Sequence, residues 1–302
     1  MLRRLTLDAV AVEVVREFRR HGIEPILLKG RSIADRLYAG AAVRTYVDVD
    51  LLVAPTDHRR AGGLLQGLGF RDALAGARRS ERPTHADTYA RTVDGAAVDL
   101  HRTLPGAAAA PGVVWRALRD HVQPLPMGSE SLSGLGDAGL MLHVAMHAAQ
   151  SGRHAAKPMA DLARALTAFE PSTIDSAAAL AARIGALPPF VAGLRLLPAG
   201  RGWAATLGAR VPIPTLTAAR ALGGAWGTAK VATVVAASWW HRPVMLVNLV
   251  FPSRTMLRRS MPLARRGRLG LLGAYALRPL WMVVGLPAAV RSLRLAQAWA
   301  DP

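Results

Sequence analysis

Apolar positions recur at helical spacing over residues 5–20, where Leu5, Val10, Val14 and Phe18 fall near one face and charged side chains lie opposite. Gly22 and Pro25 close that helix. ILLKG (26–30) follows as a short apolar run, read as a buried strand that breaks at Gly30. A short helix through Leu37 and Tyr38 and a loop around Gly40 lead to YVDVDLLV (46–53), a second strand with carboxylates at alternating positions. Pro55 and Thr56 open a helix that ends around Gly67 and Gly69. Beyond it, THADTYARTV and AAVDLHRTL flank Asp94-Gly95, and Asp-Gly between extended runs predicts a hairpin. From about Leu135 the spacing changes. GLMLHVAMHAAQ, MADLARALTAF, SAAALAARIGAL and the stretches up to Ala300 repeat at helical intervals, punctuated by Pro and Gly. The pattern predicts an α/β or α+β first part, residues 1–128, and a mainly helical second part, 129–302, divided near 125–134.

Composition narrows the class. The 302 residues are 51% hydrophobic and 19% charged, enough for a substantial core, so general disorder is excluded. With no cysteine there is no disulfide framework, no thiolate metal site and no cysteine nucleophile. The longest run free of Lys, Arg, Asp and Glu is 15 residues, Ala138 to Gly152. A membrane-spanning helix needs about 20 apolar residues, so no transmembrane segment is expected. Asp8, Glu13 and Glu17 interrupt what would be a signal peptide, and a cytoplasmic protein is the expectation. The net charge of +18 is unevenly placed: +4 over residues 1–130 and +14 over 131–302. Between Asp175 and Asp301 there is no carboxylate but 16 Lys or Arg. Such asymmetry points to an anionic partner at the basic C-terminal half: a polyphosphate, a nucleic acid or a lipid headgroup surface. The alternative is an Arg-rich solvated face of a chain whose Arg, Ala, Gly and Pro content reflects codon usage.

The candidate chemistry starts at Asp48-Val49-Asp50. Side chains at i and i+2 on a strand share a face, with Cα atoms about 6.5–7 Å apart. Two carboxylates in an otherwise apolar strand repel each other and are costly to bury unpaired, whereas divalent cations relieve the conflict. An exposed edge pair or a helix cap is the plainer reading. Asp99, on the strand after the predicted hairpin, can return beside them, and three carboxylates from adjacent strands suit a two-metal phosphoryl-transfer site. At Gly30 the chain runs from strand to helix, where backbone N–H groups face a phosphate and Lys29, Arg31 and Ser32 add charge or a hydroxyl.

Taken in order, ILLKG, RTYVDVDLLV, a helix ending LGF, a hairpin ending VDLH, and then MLHVAMHAAQ and MADLARAL resemble the bacterial nucleotidyltransferases of the DNA polymerase β-like superfamily. The resemblance is to a subgroup of uncharacterised nucleotidyltransferases. It covers about 26–170, with FPSRTMLRR (251–259) as an outlying extension. It implies a small mixed β-sheet palm flanked by helices, followed by a helical domain, with Asp48, Asp50 and Asp99 as metal-binding and catalytic carboxylates and Gly30 in the phosphate turn. The implied reaction is Mg²⁺- or Mn²⁺-dependent transfer of a nucleoside monophosphate from an NTP, ATP being the expected donor, to an acceptor hydroxyl the sequence does not name. Lys29, Ser32 and Arg44 are assigned to the triphosphate, Asp99 also to the acceptor proton, and Tyr46 either to base stacking or to packing. The superfamily usually has Gly-Ser or Gly-Gly at the turn and its carboxylates about a dozen residues on. Here Arg31 follows Gly30 and Asp48 is 18 residues away, so the phosphate role of Ser32 is the least supported.

In the helical half, His143, His147, His154, Lys157 and Asp161 cluster. They read as packing histidines with Asp161 paired to Lys157 or Arg164, as zinc ligands, or as a face on which His147 or Lys157 reaches the palm and holds nucleotide or acceptor. His101 is expected to share the face of Asp99. The rival to an enzyme is a catalytically silent palm-fold protein that binds a nucleotide, nucleic acid or anionic membrane surface through its basic half.

Overall fold

The computed structural model describes residues 2–38, 44–128, 130–208, 211–225 and 227–300; the loop expected around Gly40 lies outside them. The first part alternates α1 (Leu2–Arg20), β1 (Ile26–Leu27), α2 (Arg31–Leu37), β2 (Val49–Leu52), α3 (His58–Gly67), β3 (Arg71–Asp72), β4 (Ala86–Ala90), β5 (Ala97–His101) and α4 (Pro111–Arg119). A hairpin of β6 (Val122–Met127) and β7 (Glu130–Leu135) follows. The remainder is helical: α5 (Asp137–Ser151), α6 (Ala156–Ala168), α7 (Pro171–Arg183), α8 (Leu187–Arg195), α9 (Arg201–Gly208), α10 (Thr215–Ala221), α11 (Thr228–Ala236), α12 (Arg242–Val250), α13 (Arg254–Ser260) and α14 (Gly267–Ala300).

The strands form one mixed sheet in the order β3-β4-β5-β2-β1-β7-β6. β2 runs parallel to β5 and β1 parallel to β7; the other pairs are antiparallel. The Asp94-Gly95 hairpin forms as expected, with Gly95 at φ +66° and the Asp94 side chain accepting from the Ala96 N–H. The sheet does not stop where the sequence pattern changes. Two prolines make PLPMG read as a linker, yet Pro124 and Pro126 lie within β6, opposite Ser133 and Ser131. β6 is the outermost strand, where a missing N–H breaks no ladder bond to a further neighbour. Position 128 therefore falls in the turn of this hairpin, and β7 ties the following residues to β1 at the middle of the sheet.

Alternation along the strands sorts their side chains to two cores. Leu27, Leu51, Val98 and Leu100 pack with Val14 and Phe18 of α1 and Leu65 of α3. Ile26 and Leu52 face the other way, into a core with Met141, Val144 and Ala148 of α5 and Phe190 of α8. Residues at even positions of β2 and odd positions of β5 thus face α5. Helices α5 and α8 approach closely because Gly193 has no side chain: a Cβ there would lie 2.1 Å from the Ala145 carbonyl oxygen. The expectation of no transmembrane segment needs correcting in one respect. α14, 34 residues long, is long and apolar enough by length and composition to cross a membrane. Arg278 and other arginines interrupt its charge-free run without making the helix polar.

Candidate active site

Parallel pairing of β2 and β5 sets Asp50 directly opposite Asp99, and His101 opposite Leu52. All three side chains face α5. One ligand atom from each of Asp50, Asp99 and His101 lies within 4.8 Å of the others, the one such group of His, Asp and Glu among the described residues. Asp50 is buried, 1% exposed. Its Oδ1 receives Lys29 Nζ at 2.8 Å and lies 3.1 Å from His101 Nε2, while its Oδ2 is buried with no hydrogen-bond partner. Burial opposes the charge on Asp50. The bonds from His101 and Lys29 outweigh it and hold the carboxyl below its ordinary range.

Asp48, just before β2, stands at the margin of this cluster. Its Oδ2 is 4.0 Å from Lys29 Nζ, and it is not one of the three residues with converging ligand atoms. Burial, then the charge of Asp50, raises its pKa. Lys29 follows β1 and sits between the two carboxylates; burial works against its charge, but Asp50 and Asp48 overcome it and raise its pKa. A cation is thus already held where the carboxylates converge.

Thr88 is a contributor the sequence reading passed over. β4 pairs with β5 so that Thr88 lies opposite Asp99, and its hydroxyl donates to Asp99 Oδ1 at 2.7 Å. That bond engages one of the two Asp99 oxygens. The turn alone does not give this register: a two-residue Asp94-Gly95 turn would pair 90 with 99 and 88 with 101, whereas the sheet pairs 88 with 99. The His85 ring lies 5.6 Å from that of His101.

The phosphate-turn candidates divide. Gly30 adopts φ +74° at the start of α2, a conformation that side chains rarely take, and the Tyr46 ring covers it: a Cβ at Gly30 would lie 3.6 Å from Tyr46 Cδ2. Tyr46 is buried and its hydroxyl donates to Asp8, so it serves packing rather than offering an open stacking surface. Ser32 is buried with its hydroxyl against Gly134 of β7. Arg44, assigned from the resemblance to the triphosphate, is committed elsewhere. It is buried and forms a two-pronged pair with Asp161 of α6, Nε to Oδ1 at 2.8 Å and Nη2 to Oδ2 at 2.7 Å, with Nη1 3.4 Å from the Gly30 carbonyl. Tyr38 donates to the same Asp161 at 2.7 Å. The expected pairing of Asp161 with Lys157 or Arg164 is therefore replaced: Arg164 stacks on the Tyr38 ring, and Lys157 donates to the Thr45 carbonyl at 3.2 Å.

That last contact carries Lys157 across from α6 to the segment before Asp48. Its pKa is lowered, mainly by burial and then by the charge of Arg44. His143 and His147 stack with ring centroids 6.1 Å apart on the α5 face turned towards the sheet. His143 is buried with its Nε2 unpartnered. His147 has its pKa lowered to about 4 by burial and by the charge of Lys29. With Asp161 held by Arg44, no zinc set forms around these histidines among the described residues.

Residues 1–199 match a family described as uncharacterised nucleotidyltransferase. The chain belongs to this family. The match contains the whole sheet and α1 to α8, and it ends before FPSRTMLRR. The protein is a transferase of the nucleotidyltransferase class, with an α+β fold built on a mixed sheet. Among solved structures, the antibiotic-resistance factor ANT(2'')-Ia in solution matches with 15% identity and a TM-score of 0.44, over 60% of this chain and 95% of its own. A crystal structure of ANT(2'')-Ia with adenylyl-2''-tobramycin gives 13% identity and a TM-score of 0.41, over 59% and 98%. No curated protein matches the sequence.

Proposed function

We propose that this nucleotidyltransferase moves a nucleoside monophosphate from an NTP, with ATP as the donor, to an acceptor hydroxyl, releasing pyrophosphate in a Mg²⁺- or Mn²⁺-dependent reaction at the Asp50–Asp99–His101 cluster. The observation that carries it is the buried, unpartnered Oδ2 of Asp50 beside Asp99, inside a family of nucleotidyltransferases. A buried carboxylate oxygen without a donor is costly, and an oxygen-rich cluster suits a hard divalent cation. The donor set fits: Asp50 and Asp99 would hold the ion, with Asp48 at the margin. Such an ion supplies charge to the transferring phosphoryl group.

The chain's own residues have separable tasks. Lys29, held protonated between Asp48 and Asp50, balances carboxylate charge and sits where phosphate oxygens would gather charge as the bond to pyrophosphate breaks. Thr88 fixes Asp99 by donating to one oxygen, leaving the other to accept the proton of the acceptor hydroxyl as its oxygen bonds to the α-phosphorus. Lys157 and His147, on the helices facing the cluster, are the candidates for contact with nucleotide or acceptor.

The test incubates the full chain with labelled NTPs, Mg²⁺ or Mn²⁺ and cell extract as the acceptor source. Asp99→Asn is expected to lower transfer by about 10²–10⁴-fold, and Asp50→Asn to remove Mn²⁺ binding measured by electron paramagnetic resonance. Transfer unchanged in both variants overturns the assignment. Mn²⁺ and nucleotide bound without any transfer favours the catalytically silent reading.

A further inference from the structure

The C-terminal helices carry a surface that the nucleotidyltransferase chemistry does not use. Sixteen of the nineteen exposed large hydrophobic residues among those described lie between Val235 and Leu295. On α14, Leu269, Leu272, Ala276, Leu280, Val283 and Pro287 are all exposed, and at 100° per residue they fall on one stripe about 27 Å long. The opposite face, including Leu271, Ala274, Arg278, Ala289 and Leu293, is buried. The helix is apolar all round but covered by protein on one side only. Leu269, the most exposed, is 84% open. α12 has no buried residue, and before it Trp239 and Trp240 stand 72% and 59% exposed.

The charges flanking the stripe on its own helix and the segment before it are of one sign. Arg265, Arg266 and Arg268 are exposed at the start of the stripe, Arg291 and Arg294 at its end, and no carboxylate occurs between Asp175 and Asp301. An apolar stripe with arginines at both ends and tryptophans at its margin complements an anionic, amphiphilic surface. A nucleic acid matches the arginines but offers nothing to the leucines. A second copy of this face would bring the same positive charges together.

We propose that α12, α14 and the Trp239–Trp240 loop dock the protein on an anionic lipid bilayer, with α14 lying in the plane of the interface, its exposed stripe among the acyl chains and its flanking arginines at the headgroups. The helix lies on the bilayer rather than across it, because its other face packs against α10 and α11 and cannot be surrounded by lipid. Beside the stripe, a cavity of about 330 Å³ lined by Val231, Val235, Leu246, Val250, Met282 and Leu286 opens between α11, α12 and α14. It adjoins a second cavity lined by Lys230, Arg278 and Glu81, the last of which accepts from the Ser253 N–H. Arg278 is 3% exposed, its Nε donates to the Leu249 carbonyl at 3.0 Å, and its Nη1 has no partner. An apolar slot ending beside the buried Arg278 fits one lipid whose phosphate meets its unpartnered Nη1.

Flotation of the full chain with phosphatidylcholine vesicles, with and without phosphatidylglycerol, tests this. The expected result is flotation on the anionic vesicles only, weakened by salt, released by alkaline carbonate, and accompanied by a blue shift of tryptophan emission. Leu280→Asn and Val283→Asn are each expected to lower partitioning roughly tenfold, and Arg268→Gln roughly fivefold. Unchanged circular dichroism and thermal midpoint in these surface variants exclude misfolding. Absence of flotation at low ionic strength, equal flotation on neutral vesicles, or retention after carbonate overturns the proposal. So does a lipid-free dimer that Leu280→Asn dissociates.

Discussion

At the residue scale, one buried ion pair ties the sheet side of the protein to its helices. Arg44 and Asp161, 117 positions apart, neutralise each other at full burial. Arg44→Ala would leave Asp161 buried without its cation, and a loss of about 3–5 kcal/mol in urea denaturation is expected. Arg44→Met combined with Asp161→Leu should recover most of it, since neither charge then remains. His101 is a positioning residue for Asp50 in the same sense. His101→Ala is expected to weaken Mn²⁺ binding by about 10–100-fold, while His101→Gln, able to donate to Asp50, should retain more. The carboxylates were legible in the sequence because period-2 alternation shows which strand positions share a face. Arg44 was not. Its nearest carboxylates in the chain gave no hint that a partner on α6 would claim it, and a buried pair of that separation exists only once the sheet and helices have packed.

At the scale of elements, α1, the Asp94-Gly95 hairpin and the helices from α5 onward follow from spacing and turn chemistry. The β6–β7 hairpin did not, because two prolines argue against a strand unless its outer edge is free, and edge position is a property of the assembled sheet. The parallel pairing of β2 with β5, which creates the cluster, is likewise a tertiary fact; local sequence supplies only the hairpin that sends β5 back. Between helices, the contact of α5 with α8 depends on Gly193. Gly193→Ala drives a methyl into the Ala145 carbonyl, and a loss of about 1–3 kcal/mol is expected in thermal or urea unfolding. Gly202→Ala, where a Cβ meets nothing, is the matched control.

For the whole molecule, pH acts through histidines kept neutral. Burial lowers His147 and His85 from 6.5 to about 4, with the charges of Lys29 and His101 respectively adding to it, and it also holds His143 well below the ordinary range. The unfolded chain takes up protons near pH 6.5 and the folded one does not, so stability is complete above that value and falls as the pH drops towards 4. Urea midpoints measured across this range should decline on acidification, and His147→Gln should make the decline shallower. The rims of the sheet have their own consequence. One rim is β3, only two residues long; the other is β6, whose outward side lacks two N–H donors at Pro124 and Pro126. Neither offers a foreign strand a continuous ladder, so fibril growth by strand addition is blocked at both ends, and any crowding of copies is directed to the helical side of the protein.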